Sequence, residues 1–349
     1  MTARQILFRV DGGRRRGLSL GHAFRCLALA EEIGKAALVR FVMKDYAEGV
    51  DLVSAAGFPV RAINREIKPD TQAALLAEET ADTIVFDLPE LETGILRRLL
   101  DAGKRVIVID DRGGKDDKPI PAQVLINGSI AEKARRYPQI HPGCACYLGP
   151  RYGVIGRQFD GGERTAVADD VGTILLTFGG SDPSGLTLKA VAALAAMAAR
   201  PPAAKLNVVL GPGFGDSLAV RKIIDGSPGG FHIFSNAPNL CALILEADLV
   251  VAAAGVTAYE LAATGTPAIL IPSIGHETTA AAAFAEAGTA VNLGPWDSGS
   301  AKRLAEAIAA LASEKDGIDA RDAMCRRGPQ AVDGKGRCRV AEIILGGRF

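Results

Sequence analysis

"QILFRVDGGRRRGLSLGHAFRCLALAEEI", residues 5–33, holds a strand, a glycine-rich loop and a helix in succession. "QILFRVD" is a short β-rich run, and "HAFRCLALAEEI" is apolar at helical spacing. The same rhythm continues outward. "ALVRFVM", "FPVRAI", "DTIVFDL" and "RVIVIDD" read as strands, while "GVDLVSAAG", "TQAALLAEET" and "ETGILRRLLDAG" read as the helices between them. Strands alternating with helices predict right-handed βαβ units and a parallel sheet.

The alternation breaks in "YLGPRYGVIGRQFDGGERTAVADDV", where glycine, charge and small residues gather. It resumes with "GTILLTFGG", "SGLTLKAVAALAAMAA", "KLNVVLGPG" and "GFHIFSN". It then runs through "NLCALILEA", "DLVVAAAG", "TAYELAATG", "PAILIPS", "TTAAAAFAEAG" and "TAVNLG". A chain of 349 residues suits two moderate domains. We place the first at 1–159, a linker at 160–170, the second at 171–330, and a last helix at 331–349 containing "CRVAEIILGGRF". Two parallel-sheet domains imply a ligand cleft between them, lined by loops at the carboxyl ends of strands.

Composition removes several function classes. Lys plus Arg and Asp plus Glu are 40 each, so no net field draws the chain to nucleic acid or an acidic membrane. Aromatic residues, at 5%, are too few for a base-stacking surface. "MTARQILFRV" lacks the features of a signal peptide, and no apolar run reaches membrane-spanning length, so a cytoplasmic location is expected. The 6 cysteines do not form a disulfide framework in a chain this long. Cys26 and Cys241 fall in apolar helical patterns and read as core. "HPGCAC" (His141, Cys144, Cys146) lacks a second ligand pair at zinc-like spacing and reads as a turn entering a strand; no metal is expected.

Four loops carry the chemistry. In the first, Asp11 closes a strand and His22 opens a helix, whose N-terminal partial charge favours a neutral imidazole able to act as general base. A capping or solvated histidine is the competing reading. Arg14, Arg15 and Arg16 suit a diphosphate or equally a solvated loop tip. In the second, "FGGSDPSG", Gly179 and Gly180 permit close backbone approach, and Ser181 or Asp182 can cap the next helix, a place suited to phosphate oxygens or simply a strand–turn–helix corner. In the third, Gly255 ends a strand and Thr257 stands at a helix start. Glu260, one turn on, can accept two hydrogen bonds from a ribose diol or sit as an exposed helical acid. The fourth, "PSIGHETT", brings His276 and Glu277 toward a sugar or phosphate, or merely places an acid at a helix start.

Together "GH..RC.ALAE", "VIVIDD", "LGPRY", "FGGSDP..LTLK" and "AAAG.TAYELAATGTPAILIP" resemble the hydrolases of UDP-2,4-diacetamido-2,4,6-trideoxy-β-L-altropyranose in pseudaminic acid biosynthesis. With them go the spore-coat-type polysaccharide proteins, inside the MurG-like GT-B superfamily. The resemblance runs from Ile6 to about Gly294. It implies a GT-B fold of two Rossmann-like domains with parallel sheets facing across a cleft, the nucleotide held mainly by the second. By position, His22 is the base that activates water for inverting attack on the anomeric carbon. Asp11 is grouped with it, and Gly21, Arg25, Asp87, His276 and Glu277 form the sugar site. Asp111 lies at a neighbouring strand end. Gly179, Gly180, Ser181, Gly255 and Thr257 lie at the nucleotide, with Glu260 on its ribose. The partner implied is a UDP-sugar, with no cofactor.

The first loop reads Ser19-Leu20-Gly21-His22 where the family has Gly-x-Gly-His, and His276-Glu277 replaces the usual Asn-Gln. Both departures bear on the identity of the sugar. Two alternatives stand beside hydrolysis: a glycosyltransferase with a hydroxyl acceptor, and a non-catalytic nucleotide-sugar-binding protein.

Overall fold

The computed structural model describes residues 4–13, 18–110, 120–132, 143–197, 204–227, 230–275 and 277–347. The chain divides into two compact units, 1–156 joined by 335–349, and 157–334.

The first unit runs β1 (Gln5–Val10), α1 (Gly21–Ile33), β2 (Leu38–Lys44), α2 (Ala47–Ala55), β3 (Val60–Ile63), α3 (Pro69–Ala77) and β4 (Thr83–Asp87). It continues with α4 (Thr93–Asp101), β5 (Arg105–Ile109), β6 (Val124–Asn127) and β7 (Ala145–Leu148). The described strands form one parallel sheet in the order β3-β2-β1-β4-β5-β6-β7. The order reverses between β1 and β4, where Val10 lies opposite Asp87 in register. Such a switch point opens a crevice at the carboxyl ends of the two strands. Alternation along β1 fills both faces: Ile6, Phe8 and Val10 join one buried cluster and Leu7 the other.

The second unit runs β8 (Thr173–Thr177), α5 (Leu186–Ala195), β9 (Lys205–Leu210), α6 (Ser217–Asp225), β10 (Phe231–Ser235) and α7 (Leu240–Glu246). Next come β11 (Leu249–Ala252), α8 (Val256–Thr264), β12 (Ala268–Leu270), α9 (Glu277–Glu286), β13 (Val291–Asn292), α10 (Ser300–Leu311) and α11 (Lys315–Ala331). Its parallel sheet has the order β10-β9-β8-β11-β12-β13, so its switch point lies between β8 and β11. The loops after those two strands are the glycine-rich "FGGSDPSG" and "AAAG" segments.

Residues 160–170, read from sequence as a linker, are tied to the second unit. Arg164 donates to the carbonyls of Leu245 and Ala247, and its own N–H reaches Thr264 O. The carbonyls of Ala168 and Asp169 accept from the buried Arg321. The final helix, α12 (Gly336–Ile344), belongs to the first unit, where Val340, Ala341, Ile343 and Ile344 enter the cluster that holds Phe8 and Phe41. Gly336 meets Gly153 so closely that a Cβ there would stand 2.0 Å from the Gly153 carbonyl oxygen. At the other end of α12, Arg4 donates to Leu345 O, and Arg105 to Ile343 O and Ile344 O. These cations satisfy carbonyls that a helix end leaves unpaired.

Candidate functional site

The first cluster is built around one carboxylate. Asp87, the last residue of β4, is fully buried. His22, Arg25 and Cys26 stand at positions i, i+3 and i+4 of α1, which share a helix face. All three turn onto Asp87. His22 Nδ1 lies 2.6 Å from Oδ1; Arg25 reaches Oδ1 through Nη2 at 2.6 Å and Oδ2 through Nε at 2.7 Å. The Cys26 thiol donates to Oδ2 at 3.4 Å. Burial alone pushes the Asp87 carboxyl up, but the charge and hydrogen bonds of Arg25 and His22 outweigh it, leaving Asp87 below its ordinary range. An ionised carboxylate only accepts, so Nδ1 of His22 carries the hydrogen; in the neutral ring that tautomer has its lone pair on Nε2. Among the described residues Nε2 has no hydrogen-bond partner. Burial, with the Asp87 charge beside it, pushes the Cys26 thiol well up, so it remains a donor.

Asp11 stands apart from this cluster. Its two oxygens accept a fork from Arg9 at 2.7 and 2.9 Å, and Oδ1 also accepts the Lys44 N–H at 2.7 Å. With Arg9 fully buried on β1, the pair pins the carboxyl ends of β1 and β2. These bonds tie Asp11 to β1 and β2 at the loop entrance, and among the described residues it shares no hydrogen bond with His22. Gly12 then passes against α2, where a Cβ on Gly49 would meet the Gly12 carbonyl oxygen at 2.3 Å. Ser19 accepts the Gly21 N–H at 3.3 Å, steadying the turn into α1. Arg14, Arg15, Arg16, Asp111, His141 and His276 lie outside the described residues.

In the second unit, Gly179 takes φ +78° and Asp182 φ +41° as the chain leaves β8. Asp182 caps α5, its oxygens accepting from Leu186 N at 2.9 Å and Thr187 N at 2.7 Å. These helix-start donors are therefore already satisfied from within the chain. The neighbouring Ser181 hydroxyl is buried and has no partner among the described residues. Gly211, just past β9, backs the loop: a Cβ there would be 2.5 Å from Gly179 O and 2.6 Å from Gly180 Cα.

After β11, Gly255 caps α8, whose Thr257 and Glu260 are both buried. Burial pushes the Glu260 carboxyl up to about 7, and a hydrogen bond from Thr257 offsets part of that rise. Glu277 opens α9 and reaches back, with Oε2 accepting from Ser273 N at 2.6 Å and Ser273 Oγ at 2.8 Å. Burial raises its carboxyl, and backbone donors from Ser273, Ile274 and Ala254 act against that rise. Its other oxygen faces Gly255, where a Cβ would stand 3.0 Å away. Glu277 thus braces the β11 and β12 loops against each other, a role that its neighbours in sequence did not signal.

Cys26 and Cys241 are buried, and burial raises the Cys144 thiol to about 12. No group of three or more metal-ligating side chains gathers among the described residues. No helix among them is long and apolar enough to cross a membrane.

Residues 174–331 match the family described as glycosyltransferase family 28 C-terminal domain. Over 345 residues the chain is 26% identical to the spore coat polysaccharide biosynthesis protein SpsG of Bacillus subtilis, covering 96% of each. Among solved structures it is similar to Acinetobacter baumannii MurG, with TM-score 0.67 and 16% identity over 98% of this chain and 100% of that one. It is also similar to UDP-GlcNAc 2-epimerase from Neisseria meningitidis bound to UDP-GlcNAc, with TM-score 0.64 and 12% identity over 98% and 100%. The two parallel-sheet α/β domains thus have the fold of the GT-B glycosyltransferases, the second of them matching the family 28 C-terminal domain.

Proposed function

We propose that the chain is a cytoplasmic nucleotide-sugar hydrolase. It would cleave the anomeric C–O bond of a UDP-diacetamido-trideoxy sugar by inverting attack of water, in pseudaminic-type acid biosynthesis. The observation that carries this reading is the His22–Asp87 pair: a buried, ionised carboxylate fixes the Nδ1–H tautomer and leaves Nε2 as a base. Nε2 takes a proton from water as the water oxygen bonds to the anomeric carbon. The bond from that carbon to the diphosphate oxygen breaks, and its electron pair leaves with UDP. The first unit supplies the base and the second the nucleotide site. There the unpartnered Ser181 hydroxyl suits a phosphate oxygen, and Thr257 and Glu260 suit the phosphate and ribose. These roles for His22, Ser181, Thr257 and Glu260 rest on their chemistry and on the resemblance in sequence.

Transfer to a hydroxyl acceptor is the second reading, and the family 28 match over residues 174–331 favours it. The base does the same work in both; only the nucleophile differs. Incubation with UDP-sugars, including the diacetamido-trideoxy donor, followed by NMR separates them. Free sugar and UDP without an acceptor are expected. Turnover only on adding an acceptor would replace hydrolysis by transfer, and nucleotide binding without turnover in either case would leave a binding protein.

A further inference from the structure

From the contacts of its guanidinium with Asp87 and His22 we infer that Arg25 is a positioning residue that acts on His22 through Asp87, and not a sugar ligand. The inference rests on His22 being the base. Two donors of Arg25 are spent on the Asp87 carboxylate, Nε on one oxygen and Nη2 on the other. The side chain is 15% exposed and Asp87 is 0% exposed, so the fork is closed off from solvent at its carboxylate end. Nη2 also stands 3.2 Å from His22 Nδ1, so guanidinium and imidazole crowd one carboxylate oxygen.

Two consequences follow from this geometry. A planar fork fixes the carboxylate plane, and with it the direction from which Oδ1 holds Nδ1–H. A buried carboxylate also requires a positive partner. Arg25 is permanently charged and fills that need, so the imidazole does not have to be protonated to satisfy Asp87. The fork thus orients the ring, so that Nε2 of the neutral imidazole faces away from Asp87 as the proton acceptor. The spacing of His22, Arg25 and Cys26 places all three donors on one helix face, which is how one turn of α1 encloses an acid 62 residues from Arg25 in sequence.

The test compares wild type with Arg25→Ala and Arg25→Lys in the full chain, using steady-state UDP release with whichever UDP-sugar the wild type turns over. Loss of alignment is expected to lower kcat about 100-fold in Arg25→Ala while KM stays within about twofold. Added guanidinium ion should restore part of the rate. Arg25→Lys keeps the charge but loses the fork, and an intermediate rate is expected. A raised KM with unchanged kcat would make Arg25 a substrate ligand and overturn the inference. If Arg25→Ala does not fold, Arg25→Lys decides by the same split between kcat and KM. NMR of the His22 ring needs no turnover. The Nδ1–H proton shift reports the hydrogen bond to Asp87; it is expected far downfield in wild type and moved upfield in Arg25→Lys, where the carboxylate plane is no longer held, and an unchanged shift in the variant would overturn the inference. A wild type that transfers but does not hydrolyse leaves these readouts intact, so the two failures are distinct.

Discussion

Substituting His22 with alanine removes the Nε2 lone pair and leaves Asp87 bound to Arg25 and Cys26. Turnover should be lost while UDP affinity by calorimetry stays within about twofold, since the nucleotide site is assigned to other residues; retained activity would remove His22 as base. Glu260 gives a pH prediction of definite sign. Its carboxyl is raised to about 7 by burial, so it is ionised above that pH and protonated below. Only the ionised form accepts from both ribose hydroxyls. UDP affinity should therefore fall as the pH drops from 8 to 6. Glu260→Gln should bind weakly at pH 8 and keep only the pH dependence of the ligand's own phosphates. Parallel profiles for the two proteins would take Glu260 out of the ribose contact. At this scale the sequence supplied the residue types but not their partners. His22 was legible as a possible base; its link to Asp87, 65 residues away, was not. Asp11 was grouped with His22 by the resemblance; that its carboxylate accepts a fork from the buried Arg9, two residues before it, was not legible.

The elements hold their loops by close backbone approach, and this can be tested at Gly211. A methyl group there would lie 2.5 Å from Gly179 O, so the loop after β8 must move. Gly211→Ala should destabilise the second unit by about 1–3 kcal/mol, as overpacking does, and weaken UDP binding. Gly94→Ala on α4 is the control, because beyond its chain neighbours and its own helix backbone nothing lies within 4 Å of the added Cβ. That helical site should gain stability by up to about 1 kcal/mol, with UDP affinity unchanged. Equal effects in urea melts and UDP titrations of the two variants would remove the packing argument. Most strands and their partner helices were legible because β-branched runs and helical periodicity alternate so regularly. β7 was legible as the strand entered from "HPGCAC", whereas β6, α6, α10 and α11 were not. β6, "VLIN", is a short apolar run without alternation, which periodicity alone does not separate from a helix segment. In α11, Gly317, Gly328 and Pro329 dilute the helical signal, and both glycines are there for contact: a Cβ on Gly328 would meet Ala262 O at 2.4 Å.

At the scale of the whole chain, the last helix completes the first unit. Val340, Ile343 and Ile344 of α12 are buried against β1 and α1, and burying each such side chain is worth about 1.5–3 kcal/mol. Their sum is comparable to the whole net stability of a domain, about 5–15 kcal/mol. A chain ending at Gly334 should lose the calorimetric transition of the first unit and keep that of residues 157–334. Two unchanged transitions would show that α12 is dispensable. The sequence by itself determined the α/β class, the parallel sheets and the position of the glycine-rich loops, because local periodicity and turn chemistry are written in neighbouring residues. Only the tertiary structure decided that β1 lies beside β4, that Asp87 meets His22 and Arg25, and that α12 returns to the first unit. Those pairings join residues far apart in the chain, and they follow from strand order and from the need of each buried charge for a partner.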